Sequence, residues 1–147
     1  MNNRMIRANF FESPTIRKLD VKIKLLLIGL VSMADDRGNG LIDTILIKAF
    51  IFNNDDEIAE QNILDMLEKL YLLKRIRCYS VDDEKYYHVI GWRDKGSPVF
   101  QKLDKPRPNS EIPIYHNPEY LSDQYLGKND EHIHIDNQEY LYIDENQ

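Results

Sequence analysis

The fold is decided by two adjoining stretches, Glu57-Ile-Ala-Glu-Gln-Asn-Ile-Leu-Asp-Met-Leu-Glu-Lys-Leu-Tyr-Leu72 and Leu73-Lys-Arg-Ile-Arg-Cys-Tyr-Ser-Val-Asp-Asp-Glu-Lys-Tyr-Tyr-His-Val-Ile90. In the first, apolar residues at positions 59, 63, 66, 67 and 70 recur at helical spacing, which predicts a helix over 57–72. In the second, Ile76 and Cys78 alternate with Arg75 and Arg77, and residues 85–90 alternate again after a turn at 82–84. This pattern predicts a β-hairpin, which is unstable alone and must pack against helices.

Three further helices are predicted upstream, over residues 14–18, 21–34 and 44–51, with Ser13, Asp20 and Asp43 as their N-caps. Residues 25–31 are apolar on nearly every face, so the helix over 21–34 is expected to be central and buried. A polar, glycine-rich stretch over 35–40 ends that helix, and its carboxylates, Asp35 and Asp36, are interpreted as helix-ending residues. Residues 41–42 are predicted to form a short strand.

The element order therefore predicts an α+β fold of the winged helix-turn-helix class, with three to four helices and a C-terminal β-hairpin wing over residues 1–95. An extended, basic, proline-rich linker is expected over 96–113. A short acidic tail is expected over 114–147, in which 131–135 and 139–143 could form strands that pair with each other. Trp92 and Phe100 are interpreted as anchors that fasten the linker to the domain, or alternatively as aromatic residues that bind a partner.

Charge divides the chain into two unequal parts. Residues 1–110 carry 18 Lys and Arg against 16 Asp and Glu, a net charge of +2, whereas residues 111–147 carry one Lys against nine acidic residues, a net charge of -8. The two parts sum to the net charge of -6 of the whole chain. Because phosphate contacts supply most non-specific affinity for DNA, any role in DNA binding must operate beside this acidic tail.

Sequence motifs of catalysis are missing: there is no glycine-rich phosphate loop, no Gly-x-Ser-x-Gly elbow and no His-Glu-x-x-His helix. The single cysteine, Cys78, is expected in the core and excludes an internal disulfide. His132 and His134, with Glu131 or Asp136, could bind zinc, but surface histidines are favoured. We therefore expect no enzyme and no cofactor. The start of the chain lacks a signal-peptide pattern and the longest apolar run is short, which favours a soluble cytoplasmic protein without a membrane partner.

Many weak signals, spread over about residues 4–113, together resemble the N-terminal domains of phage replication-initiation and replisome-organiser proteins. The signals are Met5-Ile-Arg, Phe10-Phe-Glu-Ser-Pro14, Arg17-Lys-Leu-Asp20, Lys24-Leu-Leu-Leu-Ile-Gly-Leu30, Ala34-Asp-Asp-Arg-Gly38, Ala49-Phe-Ile-Phe52, Leu67-Glu-Lys-Leu70, Ile90-Gly-Trp92, Gln101-Lys-Leu-Asp-Lys-Pro106 and Ser110-Glu-Ile-Pro113. The resemblance implies a winged-helix domain that binds DNA or assembles on it during replication.

This chain departs from the family pattern in two places. The His-Gln pair that usually follows the tryptophan is replaced by the longer segment 93–101. The C-terminal region is a short acidic tail instead of a second helical module, so recruitment of a helicase or its loader is not carried over.

Candidate DNA-binding residues lie mainly in and after the hairpin, where they could form a phosphate-binding stripe. They are Lys74, Arg75, Arg77 and Lys85 of the hairpin, and Arg93, Lys95, Lys102, Lys105 and Arg107 of the following segment. Arg4, Arg7, Arg17 and Lys18 could extend the stripe. Tyr86 or Tyr87 could stack on an exposed base. The other interpretation is a solvated wing with one of these tyrosines in the core.

The helix over 57–72 would be the recognition helix of a winged helix, and its Gln61 and Asn62 could read adenine in duplex DNA. The carboxylates of this helix would repel phosphates, so we favour a solvated acidic face or a contact with another protein. These carboxylates belong to Glu57, Glu60, Asp65 and Glu68.

Two functions remain open. The first is binding of duplex or single-stranded DNA, mainly through phosphate contacts from wing and linker, tuned by the acidic tail. The second is a protein-interaction module, either an oligomerising adaptor or an acidic inhibitor that mimics DNA towards a basic partner. That partner would meet the acidic 57–69 helix or the tail, and strand pairing through 131–135 or 140–143 could build a homodimer.

Overall fold

The computed structural model describes residues 3–103, 107, 111–115 and 138–141, and these form an α+β fold with helices on one side of an antiparallel sheet. A 3-10 turn, Ala8–Phe10, precedes the first helix. The helices are α1 (Pro14–Arg17), α2 (Val21–Met33), α3 (Thr44–Ile51) and α4 (Glu60–Leu72). The strands are β1 (Asn39–Leu41), β2 (Ile76–Val81), β3 (Glu84–Val89) and β4 (Gln138–Leu141). This order is compatible with a winged-helix-like arrangement.

The sheet has the strand order β1-β3-β2-β4, and all of its neighbouring strands are antiparallel. The hairpin of β2 and β3 turns at Asp82 and Asp83, whose φ values of 51° and 67° are those of a two-residue turn with both central residues left-handed. β4 pairs along the outer edge of β2, with Glu139 opposite Ser80. It overlaps the strand predicted over 139–143, whereas the predicted strand over 131–135 lies outside the described residues.

The core lies between α2, α4 and the inner face of the sheet. Leu26, Leu27, Leu30 and Val31 of α2 are fully buried, as the sequence predicted, whereas Leu25 is 45% exposed. The apolar stripe of α4 is confirmed from position 63 onward, and position 59 is exposed because Ala59 is the N-cap of α4. Ile76 and Cys78 face this core and Arg75 and Arg77 are half-buried, in the predicted alternation.

Several predicted boundaries were wrong by a few residues. α4 begins at Glu60, not at 57, because the Asn62 side chain accepts a hydrogen bond of 2.7 Å from the Ala59 N–H and starts the helix there. Neither Ser13 nor Asp20 makes a side-chain cap, whereas Asp43 does, accepting bonds from the N–H groups of residues 45 and 46. The short strand forms at 39–41, not 41–42, because residues 39–41 pair with residues 86–88 of β3.

The segment after the hairpin packs against the domain where it is described. Val99, Ile114 and Tyr115 are buried, and so is the polar side chain of Gln101. The Gln101 amide accepts a bond of 2.9 Å from the Met5 N–H and donates one of 2.7 Å to the Met5 carbonyl, which ties the N-terminal arm to this segment. Packing thus continues beyond residue 95 into parts of the predicted linker and tail.

Candidate nucleic-acid interface

A cleft of about 320 Å³ opens beside the chain that leaves the hairpin, and we call it the post-hairpin cleft. Three of the predicted DNA-binding residues line it: Arg93, Lys95 and Lys102. Lys95 and Lys102 are exposed and Arg93 is half-buried. Aromatic side chains contribute to the same wall, and they are Trp92 and Phe100. The structure therefore brings together basic residues that are spread over ten positions of sequence.

The cleft is held open by a compact loop over residues 91–101. The Gln101 N–H donates a hydrogen bond of 2.9 Å to the Trp92 carbonyl and closes the loop. Within the loop, the Ser97 N–H donates a hydrogen bond of 2.9 Å to the Asp94 carbonyl. This bond closes a turn that contains Lys95. Arg7 donates from Nε to the Phe100 carbonyl at 2.9 Å and lies over the Phe100 ring. Because the loop is fastened at both ends, its basic side chains project from a fixed frame.

Asp36 is the buried anion in the wall of the cleft. Its carboxylate accepts from Arg4 Nη2 at 3.1 Å and from Arg107 Nε, Nη2 and N–H at 2.8, 2.9 and 2.9 Å. The hydrogen bonds from Arg107 hold the pKa of Asp36 well below its usual range, although burial opposes them. The interpretation of Asp36 as a helix-ending residue is corrected here. Asp35 has that local role, because its Oδ1 accepts from the N–H groups of residues 37 and 39.

Trp92 forms the floor of the cleft and is only 2% exposed. Its indole N–H donates to the Asp36 carbonyl at 2.9 Å, and the Arg4 guanidinium lies 5.1 Å from the ring centroid. Gly38, at φ 85°, lies against the ring so closely that a Cβ there would come within 2.7 Å of it. The interpretation of Trp92 as an anchor is confirmed by this burial. The half-buried Phe100 lies nearer the rim.

The hairpin residues of the predicted stripe occupy different surroundings. Lys74 follows α4 and is exposed, and Lys85 is exposed on β3. Arg75 is half-buried, and this burial lowers its pKa. The Arg107 side chain is 61% exposed and forms an ion pair with Asp36. Lys105 lies outside the described residues.

The outer face of the hairpin is a second packed layer instead of a solvated wing. Tyr79 is fully buried there, stacks on Tyr86 at 5.4 Å and donates from its hydroxyl to the Pro113 carbonyl at 2.6 Å. Tyr115 stacks on His88 at 4.8 Å. Burial first, and then the charge of Arg77, lower the pKa of His88 to about 3. Tyr79 was not foreseen as buried, since the residues that cover it lie more than 30 positions away.

Of the two tyrosines considered for base stacking, one belongs to the core. Tyr87 is fully buried and donates from its hydroxyl to the Leu30 carbonyl at 2.8 Å. Tyr86 is half-buried against Tyr79. The core tyrosine of that interpretation is confirmed, whereas its solvated wing is not, because Tyr79 and Tyr115 are buried on the outer face.

α4 presents the acidic face that the sequence predicted. The exposed acidic residues of the helix and the turn before it are Glu57, Glu60, Asp65 and Glu68. The two amides considered for base reading are engaged with neighbours. Gln61 donates to Asp65 at 2.9 Å, and Asn62 caps the helix. This geometry leaves α4 poorly suited to contact phosphates.

An exposed apolar face on α3 was missed by sequence reasoning. Ile45, Leu46 and Phe50 are 68%, 44% and 55% exposed, and Ala49 lies between them. These residues adjoin on one side of the helix, whereas Ile47 on the other side is fully buried. The signal was present in the sequence, because Thr44–Ile51 has too many apolar residues for a helix with a single buried face.

Catalytic and metal chemistry find little support in the described part of the chain. No group of three or more His, Cys, Asp or Glu residues there is arranged to hold a metal, and His132 and His134 lie outside it. Burial raises the pKa of the Cys78 thiol to about 12, so it is not a nucleophile near neutral pH. Among the described helices none has the length and apolar character to cross a membrane.

Comparison with protein-family models, with curated proteins and with solved structures found no match for this chain.

Proposed function

We propose that this chain is a winged-helix protein that binds DNA, mainly through phosphate contacts, and that it acts without catalysis in a phage-type replication or regulatory context. The observation that carries the proposal is the post-hairpin cleft, where Arg93, Lys95 and Lys102 meet around one opening. Cations that converge on one cleft are the usual electrostatic footprint of a nucleic-acid site. The replication context rests on the resemblance of about residues 4–113 to replication-initiation domains.

The contact surface would differ from that of a standard winged helix. α4 is acidic and its amides are engaged, so the basic residues after the hairpin supply the phosphate contacts in its place. The acidic tail would compete with DNA for this surface and weaken binding. β4 pairs with β2, so this part of the tail lies beside the hairpin.

The test is binding of a labelled random duplex and of a single strand by the full chain across a salt series. Each neutralised duplex phosphate adds about -0.9 to the slope of log affinity against log salt. A Lys95→Ala/Lys102→Ala variant should lose about 1.8 of that slope, if each lysine contacts one phosphate. The control variant Lys48→Ala/Lys69→Ala removes the same charge from α3 and α4, and it should bind as the wild type does.

A second arm tests the tail. Neutralising acidic residues that lie between Tyr115 and β4, by Glu119→Gln, Asp123→Asn and Asp130→Asn, should tighten DNA binding. If neither the wild type nor this variant binds DNA at low salt, the proposal is overturned.

The second candidate function is a protein-interaction module that self-associates, and the apolar face of α3 favours it. The four residues of this face carry no charge, so two copies can meet there without the repulsion that the net charge of -6 otherwise imposes. Sedimentation of the wild type should then show a dimer that Phe50→Asp dissociates. Val21→Asp is the control, because it adds the same charge at a 74% exposed site. A monomeric wild type at high concentration excludes this function.

A further inference from the structure

The chain beyond the post-hairpin cleft returns to the domain and docks on the outer face of the hairpin. We call its described part, residues 107 and 111–115, the strap. At its start, the Arg107 side chain and N–H donate three hydrogen bonds to the Asp36 carboxylate. Further on, the Pro113 carbonyl accepts a bond of 2.6 Å from the Tyr79 hydroxyl. The strap therefore runs from the wall of the cleft to the outer face of the sheet.

The strap covers a face of the hairpin that carries residues predicted to contact DNA. Side chains alternate along a strand, so Arg77 of β2 lies on the same face as Tyr79, and it pairs with His88 of β3. The Tyr115 ring of the strap stacks on His88 at 4.8 Å. Tyr86, which was considered for base stacking, lies on this face as well and stacks on Tyr79. Arg77 and Tyr86 are both half-buried in this layer.

The docked strap also keeps Arg107 away from phosphates. Its Nε and Nη2 donate to the two oxygens of Asp36 at 2.8 and 2.9 Å, so a phosphate would have to displace this carboxylate. Asp36 has a second cationic partner, Arg4, at 3.1 Å. Undocking of the strap would therefore free the Arg107 guanidinium without leaving the buried carboxylate uncompensated.

The acidic residues around the strap limit what undocking can gain. Glu111 lies in the strap and Glu84 begins β3 on the covered face; both are exposed, so water screens their charges. In the sequence, Asp104 and Glu111 balance Lys105 and Arg107. The gain on undocking is therefore access to two guanidinium groups, and not a rise in net charge.

We propose that the strap is an autoinhibitory element of the proposed DNA-binding surface, and that DNA binds more tightly to the chain whose strap is undocked. This inference rests on the proposed DNA binding and adds its regulation. In the undocked state, Arg77 and Arg107 contact phosphates and Tyr86 stacks on an unpaired base.

Tyr79→Phe tests the strap without a change of charge, because it removes only the hydroxyl that bonds the Pro113 carbonyl. Loss of one hydrogen bond shifts such an equilibrium by about fivefold. The apparent affinity for DNA changes by the same factor while the docked state predominates. We therefore expect Tyr79→Phe to bind a labelled single strand about fivefold more tightly than the wild type. Tyr115→Ala, which removes the ring stacked on His88, should also tighten binding.

Tyr87→Phe is the matched control. It removes a buried hydroxyl whose bond of 2.8 Å goes to the Leu30 carbonyl in the core, and not to the strap. This variant should bind DNA as the wild type does. Arg77→Ala added to Tyr79→Phe should remove most of the gain, because undocking is expected to expose that guanidinium.

The wild type supplies a second readout, since a ligand that prefers the undocked state must also shift the strap towards it. Hydrogen exchange of the backbone amides at 111, 112, 114 and 115 should become faster when the single strand is added. If Tyr79→Phe gains no affinity, or if DNA leaves this exchange unchanged or slows it, the inference is overturned and the proposed DNA binding stands. If the wild type, Tyr79→Phe and the tail-neutralised variant all fail to bind DNA at low salt, both fail.

Discussion

Asp36→Asn is expected to be among the most damaging single substitutions in this domain. The carboxylate is 5% exposed in its side chain, and it neutralises Arg4, whose side chain is 3% exposed. The substitution keeps the shape of the side chain and removes the charge. Arg4 then remains as a buried cation that donates a hydrogen bond of 2.9 Å to the neutral Ala34 carbonyl.

The expected loss follows from this burial. Removing one partner of a buried ion pair costs about 3–5 kcal/mol, because the other charge is left uncompensated. The asparagine oxygen still accepts one bond, so we expect about 3 kcal/mol for Asp36→Asn. Arg107→Ala is the contrasting variant. Its side chain is 61% exposed, so water replaces the carboxylate and the cost is about 1 kcal/mol or less.

Urea denaturation followed by Trp92 fluorescence measures both variants. With a slope of about 2 kcal/mol/M, the midpoint of Asp36→Asn should fall by about 1.5 M and that of Arg107→Ala by about 0.5 M or less. The pKa of Asp36 is depressed, so its stabilisation is present above the unfolded pKa of about 4 and is lost as pH falls below it. Below that pH, the difference in the free energy of unfolding between the wild type and Asp36→Asn should narrow. Equal losses in the two variants would refute the reasoning, because burial of Arg4 would then not set the cost.

Three other substitutions test separate features. Gly38→Ala should cost at least about 2 kcal/mol, since it places a Cβ at φ 85° against the Trp92 ring; an unchanged urea midpoint would contradict the close contact. The pKa of His88 is lowered to about 3 in the folded state. The free energy of unfolding should therefore fall by about 1.4 kcal/mol per pH unit as the pH falls from about 6.5 to 5. His88→Gln should remove this pH dependence from urea denaturation curves taken at each pH. Lys74→Gly should raise stability by about 1 kcal/mol, since Lys74 ends α4 at φ 57°; a lower thermal midpoint would contradict this.

The elements that the sequence predicted correctly depend on local periodicity. The stripe of α4 and the alternation over residues 75–78 depend on residues that are near neighbours along the chain, and both appear where expected. The cap at Asp43 is equally local. Errors of a few residues arose where two local options competed, as at the start of α4, where Asn62 captures the Ala59 N–H.

The parts that the sequence did not reveal depend on distant partners. Asp36 is bonded by Arg4 and Arg107, which lie 32 and 71 positions away, and no periodicity connects them. The burial of Tyr79 depends likewise on Pro113, 34 positions further on. The basic residues of the cleft were predicted as a stripe because their charge is visible in the sequence. Their convergence on one opening needed the loop closure between Gln101 and Trp92.

The acidic face of α4 is the strongest argument against DNA binding by this fold, and the proposed contact surface after the hairpin answers it. Docking α4 in a major groove would bring its three carboxylates, Glu60, Asp65 and Glu68, among phosphates on both sides of the groove. Phosphates that contact the post-hairpin cleft would need no residue of α4, since none lines it. The same acidic face would then disfavour docking of α4 on a duplex and leave the surface after the hairpin as the proposed contact.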